Sequence, residues 1–213
     1  MDKRAGPIKL VILPRTLAGL GRDGLRRHLS TVHGPMVMAE PEVSQAFRSY
    51  VHHYAVDCPV AGEMTDRDAV TVIRFDAMAD MIASKASDAY RQKIGPDEDN
   101  FREIAGSVAM FSLERVIAPG ADDAHLKLFA FHATGEDDRD TRAESLANVA
   151  TMIGVQGIVT NHCNVVEGAW DHCILDEIGL RTDADVVAIV RALTAHPPRT
   201  ETRFLLSEPL RFI

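Results

Sequence analysis

The hydrophobic residues of this chain form two kinds of pattern that alternate along its length. Continuous or every-second-residue apolar runs, typical of β-strands, are separated by stretches with the three- and four-residue spacing of amphipathic helices. In the first half the strand-like runs lie at 8–13, 48–56, 69–75 and 107–117, and a helix is predicted after the first and after the third. The predicted order is therefore βαββαβ, closed by Pro119-Gly120.

Two helices are predicted within this first half. Asp23 can cap the first, and we expect that helix to end or kink at Gly34-Pro35. The second stops at the stretch 95–99, which begins with Gly-Pro. The apolar stripes are Leu25, Leu29, Val32 and Met36 in the first helix, and Met78, Met81, Ile82, Ala86, Ala89 and Tyr90 in the second.

The same order of patterns begins again after residue 120. A strand is predicted at 125–133, and a helix at 141–154 has a capping box of Thr141 and Glu144. Two further strands flank a hairpin turn at Glu167-Gly168, and a helix at 184–195 precedes a last strand at 202–213. The apolar stripe of the 141–154 helix is Leu146, Val149, Ala150 and Ile153.

This repeated order predicts the fold class. A βαββαβ unit forms a four-stranded antiparallel sheet with both helices on one face. Its other, apolar face must be covered, because exposed apolar surface costs about 25 cal/mol per Å². We therefore expect an α+β fold of two ferredoxin-like βαββαβ units, residues 1–119 and 120–213, packed sheet to sheet as an intramolecular dimeric α+β barrel.

Composition narrows the class of protein. Hydrophobic residues make up 46% and charged residues 25%, as in globular domains with a core. The net charge of −8, from 31 acids and 23 bases, argues against a nucleic-acid partner. No apolar stretch approaches the roughly 20 residues that span a membrane. Three cysteines (Cys58, Cys163 and Cys173) are too few for a disulfide framework, which favours a reducing, cytoplasmic location.

Several segments, taken together and in order, resemble the EthD domain family. They are RRHLSTVHGPMV at 26–37, YVHHYAVD at 50–57, AVTVIRFD at 69–76, and DEDNF at 97–101 with FSLERVI at 111–117. The resemblance covers roughly residues 8–117. It implies a dimeric α+β barrel, here as two domains in one chain, and a small degradative or biosynthetic enzyme or accessory protein acting on hydrophobic or aromatic compounds.

The resemblance also singles out positions. His33 matches the histidine at the helix end, Tyr50 the strand tyrosine, Asp76 the aspartate after the third strand, and Glu114 the acid of the last strand. Tyr54 departs from the pattern, because the family usually has histidine there.

Two neighbouring histidines, His52 and His53, can substitute for the one that Tyr54 replaces. In the second half, His162, Asp176 and Glu208 match the pattern, but its helix has no His-Gly-Pro step. The resemblance therefore implies one working cleft, in the first half, and a mainly structural second half.

The chemistry depends first on His33. The carbonyl end of a helix favours an imidazolium by up to about 2 kcal/mol, and burial acts in the opposite direction. A histidine under both influences titrates near neutral pH, where it can transfer protons. The alternative is a histidine that only caps the helix by a hydrogen bond to a carbonyl.

Polar side chains line one face of the second strand. Tyr50, His52 and Tyr54 share that face, because side chains alternate along a strand. Such a face can wall a cavity and polarise a carbonyl or a phenol, or it can simply be wet. We predict His33, His52 and Tyr54 as catalytic residues. We predict Tyr50, His28 and Met81 as substrate-binding residues, with Met81 in an apolar wall.

Two other clusters are less informative. His162, Cys163, His172 and Cys173 lie on a predicted hairpin that places only two of them on each face, whereas zinc sites use three or four protein ligands, so no metal is predicted. Asp76 and Glu114 could form an acid pair, or could be a helix N-cap and an ion-pair partner.

The function predicted from these residues is a cofactor-independent enzyme of a catabolic pathway. It would act on a hydrophobic aromatic or cyclic small molecule by acid/base chemistry, as a dehydratase, isomerase or lyase, and could be a homodimer. No GxGxxG, P-loop or nucleophile elbow supports a nucleotide cofactor or serine hydrolysis. The alternatives are a non-catalytic binding or accessory protein, and an oxygenase that uses haem or no cofactor.

Overall fold

Eight antiparallel strands close into one barrel, and the helices pack against its outer surface. The computed structural model describes residues 7–133, 139–194 and 201–213, without the side chains of 139–141. The strands are β1 (Ile8–Thr16), β2 (Phe47–Val56), β3 (Ala69–Phe75), β4 (Arg102–Ala118), β5 (Leu126–His132), β6 (Val155–Glu167), β7 (Ile174–Leu180) and β8 (Thr202–Arg211). The α-helices are α1 (Gly21–His28), α2 (Gly34–Ala39), α3 (Pro41–Ser44), α4 (Met78–Ala86), α5 (Gly95–Asp97), α6 (Arg139–Ala150) and α7 (Val186–Leu193).

The strand order around the barrel is β1-β3-β2-β8-β5-β7-β6-β4. The strands of the first half are therefore contiguous, as are those of the second half. The two sets join by hydrogen bonds at β2–β8 and at β4–β6, where Val51 pairs with Arg211 and Ser112 with Cys163. The predicted α+β class is confirmed, in the form of an eight-stranded antiparallel barrel.

Side chains that alternate along each strand divide the core into layers. Val11 and Leu13 of β1 point into the barrel and are fully buried there with Phe129 and Phe131 of β5. Leu10, whose side chain alternates with theirs, packs outward in a second cluster with residues of the first-half helices. No helix of the described segments combines the length and the apolar character that a membrane-spanning helix needs.

One part of the barrel interior is ionic. The Lys9 ammonium lies 2.5 Å from Oε1 of Glu177 and 2.7 Å from Glu114, and the Lys127 ammonium lies 3.0 Å from Oε2 of Glu177. Glu177 is fully buried, and the two ammonium groups hold the pKa of its carboxyl well below the usual range despite that burial. Because Lys9 belongs to β1 and Glu177 to β7, this cluster links the two halves of the chain.

The first helical segment does not end at Gly34-Pro35, one of the two predicted outcomes, but continues through it. The residues Leu29–His33 form a π turn between α1 and α2, in which the Gly34 amide donates to the Leu29 carbonyl five residues earlier. A proline inside an α-helix removes a hydrogen bond and clashes with the carbonyl four residues back, and the wider π turn accommodates it. The same arrangement recurs where a π turn at Tyr90–Ile94 precedes Gly95-Pro96.

Several local predictions were wrong. Ala77, not Asp76, is the N-cap residue of α4, and Asp76 is exposed and paired with Arg48. Ile82 and Ile153 are exposed rather than part of apolar stripes. The predicted turn at Glu167-Gly168 is a longer connection, because β7 begins only at residue 174. The side chain of Thr141, and with it the capping box, lies outside the described residues.

Candidate functional site

The π turn places His33 on the buried side of its helix. His33 is 7% exposed, and its ring packs edge-on against Phe101 at a centroid distance of 4.8 Å. Because the chain stays helical beyond it, His33 does not sit at a helix carbonyl end, and the expected macrodipole effect does not apply. π turns inside helices are often found at functional sites.

One carboxylate holds two histidines of this helical segment. The Asp97 Oδ2 atom lies 2.9 Å from Nδ1 of His33 and 3.0 Å from Nε2 of His28. Burial lowers the pKa of His33, and the hydrogen bond to Asp97 only partly opposes that effect. A neutral His33 ring that donates from Nδ1 to the carboxylate carries its lone pair on Nε2, and such a ring can act as a base.

A second chain of hydrogen bonds runs along the outer face of β2 and β3. The Tyr50 hydroxyl lies 2.9 Å from Nε2 of His52, and Nδ1 of His52 lies 2.8 Å from the Thr71 hydroxyl. Burial lowers the pKa of His52 to about 3 and raises that of Tyr50, so both side chains are neutral. Since both ring nitrogens of His52 are occupied, His52 positions Tyr50 and is not itself free to bind a ligand.

One cavity of about 80 Å³, between the outer face of the first-half strands and the helical segments, is lined by His33 from the first group and by Tyr50, His52 and Thr71 from the second. His33, Tyr50, His52 and Met81, four of the predicted site residues, are part of its lining. Most of the wall is apolar or aromatic. Further lining residues are Leu10, Ile12, Leu29, Val37, Phe47, Ile73, Phe75, Ile94, Phe101 and Ala109.

The other two predicted residues lie elsewhere. Tyr54 lines a separate surface groove with Arg26 and Glu208, and the Arg26 guanidinium lies 5.1 Å over its ring. Burial raises the pKa of Tyr54 to about 12. His28 contacts Asp97 and Phe101 but is not among the residues that line the cavity. The site residues predicted from the sequence therefore do not form one cluster.

An acceptor-rich patch lies in the same cavity lining. Arg102 is held between two carboxylates, with its Nη2 at 2.5 Å from Glu98 and its Nη1 at 2.7 Å from Glu167. The Tyr90 hydroxyl donates to Glu98 at 2.7 Å. We call these four residues the acceptor patch. None of them was predicted as a site residue.

A residue of the second half supports one wall of the cavity. The Phe212 ring stacks on Tyr50 at 5.1 Å and meets the edge of His52 at 5.3 Å. Backbone hydrogen bonds hold it there, since the Phe212 amide donates to the Tyr50 carbonyl at 2.9 Å. The cavity wall formed by β2 therefore depends on the segment that follows β8.

The other residues singled out in the sequence do not line this cavity. His162 is exposed, whereas Asp176 is buried between His132 and Arg142. Glu114 is an ion-pair partner of Lys9, 2.7 Å away. Within residues 7–133, 139–194 and 201–213, no group of three or more His, Cys, Asp or Glu side chains is arranged to hold a metal ion.

Asp97 is the main site residue that the sequence analysis missed. The sequence does contain a pattern that points to Asp97. Each of the two Gly-Pro steps follows a helical stripe, and Asp97 comes directly after the second step. That stretch predicts the end of a helix and is part of the family motif at 97–101, but neither interpretation gives Asp97 a role. The pairing of residues 33 and 97, which are 64 positions apart, is a tertiary contact, and no local pattern shows it.

Comparison with known proteins supports the family resemblance. The model of the EthD domain matches residues 17–104, as the sequence motifs predicted. Among solved structures, an anthrone oxidase-like protein aligns with 99% of this chain and 94% of its own, with a TM-score of 0.62 and 12% identity. No curated protein matches the chain.

Two further structures share the fold. A candidate monooxygenase from Fusobacterium nucleatum aligns over 97% of this chain and 93% of its own, with a TM-score of 0.57 and 10% identity. Chlorite dismutase from Candidatus Nitrospira defluvii, in complex with imidazole, aligns over 97% and 92%, with a TM-score of 0.51 and 10% identity. At these identities the likeness shows the fold alone.

Proposed function

We propose, starting from the EthD domain at residues 17–104, that the chain is an enzyme that uses the His33 cavity for acid/base chemistry on a hydrophobic cyclic or aromatic small molecule. The observation that carries this proposal is His33 itself. It is a buried histidine tied to a carboxylate through Nδ1, in the wall of a mostly apolar cavity. The reaction class is dehydration, isomerisation or lysis in a catabolic pathway.

In this proposal His33 is the general base and acid. Its Nε2 takes a proton from a carbon or an oxygen of the substrate, and Asp97 stabilises the imidazolium that forms. Positioned acid/base groups of this kind contribute about 10²–10⁴-fold to a rate. Because burial lowers the pKa of His33, the base form predominates at neutral pH.

Tyr50 supplies the second function. Its side chain lines the same cavity. In this proposal the Nε2–H group of His52 donates to the Tyr50 oxygen, so the Tyr50 O–H is free to donate to the negative charge that develops on a substrate oxygen. Tyr54 has no part in this proposal, because it lines a different groove.

The test is hydrogen–deuterium exchange at the acidic carbon of small cyclic ketones, followed by NMR in deuterated buffer. We expect the wild-type protein to accelerate exchange, and His33→Gln to lose about 10²-fold or more of that acceleration. His162→Gln, which changes an exposed histidine, is the matched control. Equal exchange in His33→Gln and wild type would exclude the role of His33. A protein that binds ketones without exchanging them would instead be a binding or accessory protein.

A second candidate is oxygenation without a cofactor. The same base could deprotonate a phenolic or enolic substrate to an anion that reacts directly with dioxygen, and proteins named as oxidase-like or as monooxygenases share the fold. Drug-sized ligands need cavities of about 300 Å³ or more, and a haem is larger than most of them. A haem therefore does not fit this cavity of about 80 Å³. Oxygen consumption that depends on substrate and on His33 would favour this candidate.

The division of the chain into two units and its cellular location are also proposed. We propose that residues 1–119 and 120–213 are two ferredoxin-like units, because each half contributes four contiguous strands in an equivalent order, β4-β1-β3-β2 and β8-β5-β7-β6. Free thiols at Cys58, Cys163 and Cys173 support a reducing, cytoplasmic compartment. The working cleft in the first half alone and the homodimer stay predictions.

A further inference from the structure

The cavity lining offers carboxylate oxygens that are not saturated with hydrogen bonds. In the acceptor patch, the Glu98 carboxylate receives one bond from Tyr90 and one from Arg102, and Glu167 receives one from Arg102. An ionised carboxylate can accept about four hydrogen bonds, so both retain free lone pairs. The Arg102 guanidinium lies between the two carboxylates and donates one hydrogen bond to each.

The patch around His33 has the same character. With Nδ1 donating to Asp97, the free Nε2 atom of a neutral ring is an acceptor. Glu98, His33 and Tyr50 all line this cavity, so the two patches face the same space.

The charge in the lining is also unfavourable for an anion. Two carboxylates surround one guanidinium, and an arriving carboxylate would meet a net negative group in a poorly solvated site. Lys85 also lines the cavity, but it is exposed and its ammonium lies 5.3 Å over the Tyr90 ring, where water screens its charge.

Size sets a further limit. The cavity of about 80 Å³ is smaller than the cavity of about 150 Å³ that holds benzene in another protein. A single ring can therefore enter only if flexible wall residues such as Met81 and Lys85 swing aside, and a fused ring system would need much larger movements.

We propose that this cavity selects an uncharged single-ring compound that carries two hydroxyl groups, one donating to the acceptor patch and one to Nε2 of His33. This inference rests on the proposed function, because it names the substrate class of the same site. A ligand that lacks donors would leave buried acceptors unpaired, which costs more than an absent contact.

The experiment compares matched rings by calorimetric titration under nitrogen. The probes are the three benzenediols, the monomethyl and dimethyl ethers of each, and the hydroxybenzoates. We expect one diol isomer to bind best and each methylation to weaken binding about 3- to 10-fold. The hydroxybenzoates should bind at least tenfold more weakly than that diol. Glu167→Gln should reduce the preference for the diol over its monomethyl ether, and Asp88→Asn, at an exposed ion pair, should not.

Binding of the dimethyl ethers as tight as that of the diols, tighter binding of hydroxybenzoates, or binding of none of these rings would overturn the inference. The titration needs no turnover, so the two proposals can fail separately. If diols bind with the expected preference but exchange does not depend on His33, the inference about the ligand stands and the proposed enzymatic function is wrong. If exchange depends on His33 but binding shows no preference for hydroxyl groups, the proposed function stands and the inference about the ligand is wrong.

Discussion

Gly34 and Phe212 fit together only because Gly34 has no side chain. A Cβ atom built on Gly34 would overlap the Cζ atom of the Phe212 ring and would lie 2.8 Å from the Leu29 carbonyl oxygen. The glycine of the His-Gly-Pro step is therefore explained by this close approach. A positive φ is not the reason, because the φ angle of Gly34 is −58°. The same ring stacks on Tyr50, so the helix that carries His33 and the strand that carries Tyr50 meet on Phe212.

Gly34→Ala should destabilise the protein by about 1–3 kcal/mol, because it overpacks this contact. In a Phe212→Ala background the same change should cost at least about 1 kcal/mol less, since the ring is gone and only the Leu29 carbonyl still crowds the new methyl group. Urea unfolding of the two single variants and the double variant measures the coupling. Strictly additive free energies would show that the two residues do not interact.

Stability should fall as the pH drops below about 6.5. The folded-state pKa of His52 is about 3, below the ordinary value, so between these values the unfolded state binds a proton that the folded state does not. The free energy of unfolding should therefore decrease by up to about 1.4 kcal/mol per pH unit for this histidine. Urea midpoints between pH 7.5 and 5 should decline less steeply in His52→Gln, and exposed His125→Gln should follow the wild type.

Asp97→Asn should lower the pKa of His33 further, because the carboxylate is what raises it against the effect of burial. The acid limb of the exchange–pH profile should move to lower pH, and the rate should fall as His33 loses its fixed orientation. NMR titration of the histidine ring protons gives the pKa directly. Asp99→Asn changes an exposed acid two residues away and is the control. An unmoved limb would mean that Asp97 does not act through His33.

Lys9→Met should cost about 3–5 kcal/mol, because it removes one partner from a buried ion pair and leaves Glu177 with less compensation. Arg91→Met, at a pair with Asp88 in which both side chains are mostly exposed, should change the stability by less than about 1 kcal/mol. Guanidinium unfolding of both variants makes the comparison. Similar losses of stability in the two variants would contradict the claim that burial makes the Lys9 ion pair the more important one.

The thiols should differ in reactivity. Burial raises the pKa of Cys58 to about 11 and that of Cys163 to about 12, so neither forms the reactive thiolate at pH 8. Cys173 is partly exposed. Ellman's reagent should therefore titrate at most one thiol rapidly in the folded protein, and all three of the chain's cysteines in urea. Fast reaction of two or more thiols in the folded protein would disagree with the burial.

The strands were predictable because a period of two residues is a local signal. The prediction for 69–75 matches β3 residue for residue, and the order of strands and helices led to the barrel. The helices were less predictable, because a proline inside a helical stripe normally ends it. Here two π turns carry the chain past Gly34-Pro35 and Gly95-Pro96, and that geometry depends on tertiary packing.

Alternation along a strand predicted some of the residues of the candidate site but not the others. Tyr50 and His52 share a face, as expected, but Tyr54, two residues further, lines another groove. A face extends over the whole length of a strand, whereas a cavity covers only part of it. Asp97 and Phe212 could not be found by pattern, since each meets the site from a distant part of the chain.

The Phe212 contact has a consequence for how such a sequence can diverge. A second half without a working cleft of its own would ordinarily be free to accumulate substitutions, subject only to keeping the barrel closed. Because its last residues support Tyr50 and His52, selection on the chemistry of the first half must also act on them. Mutational tolerance in the second half should therefore be lowest where it touches its neighbour's cleft.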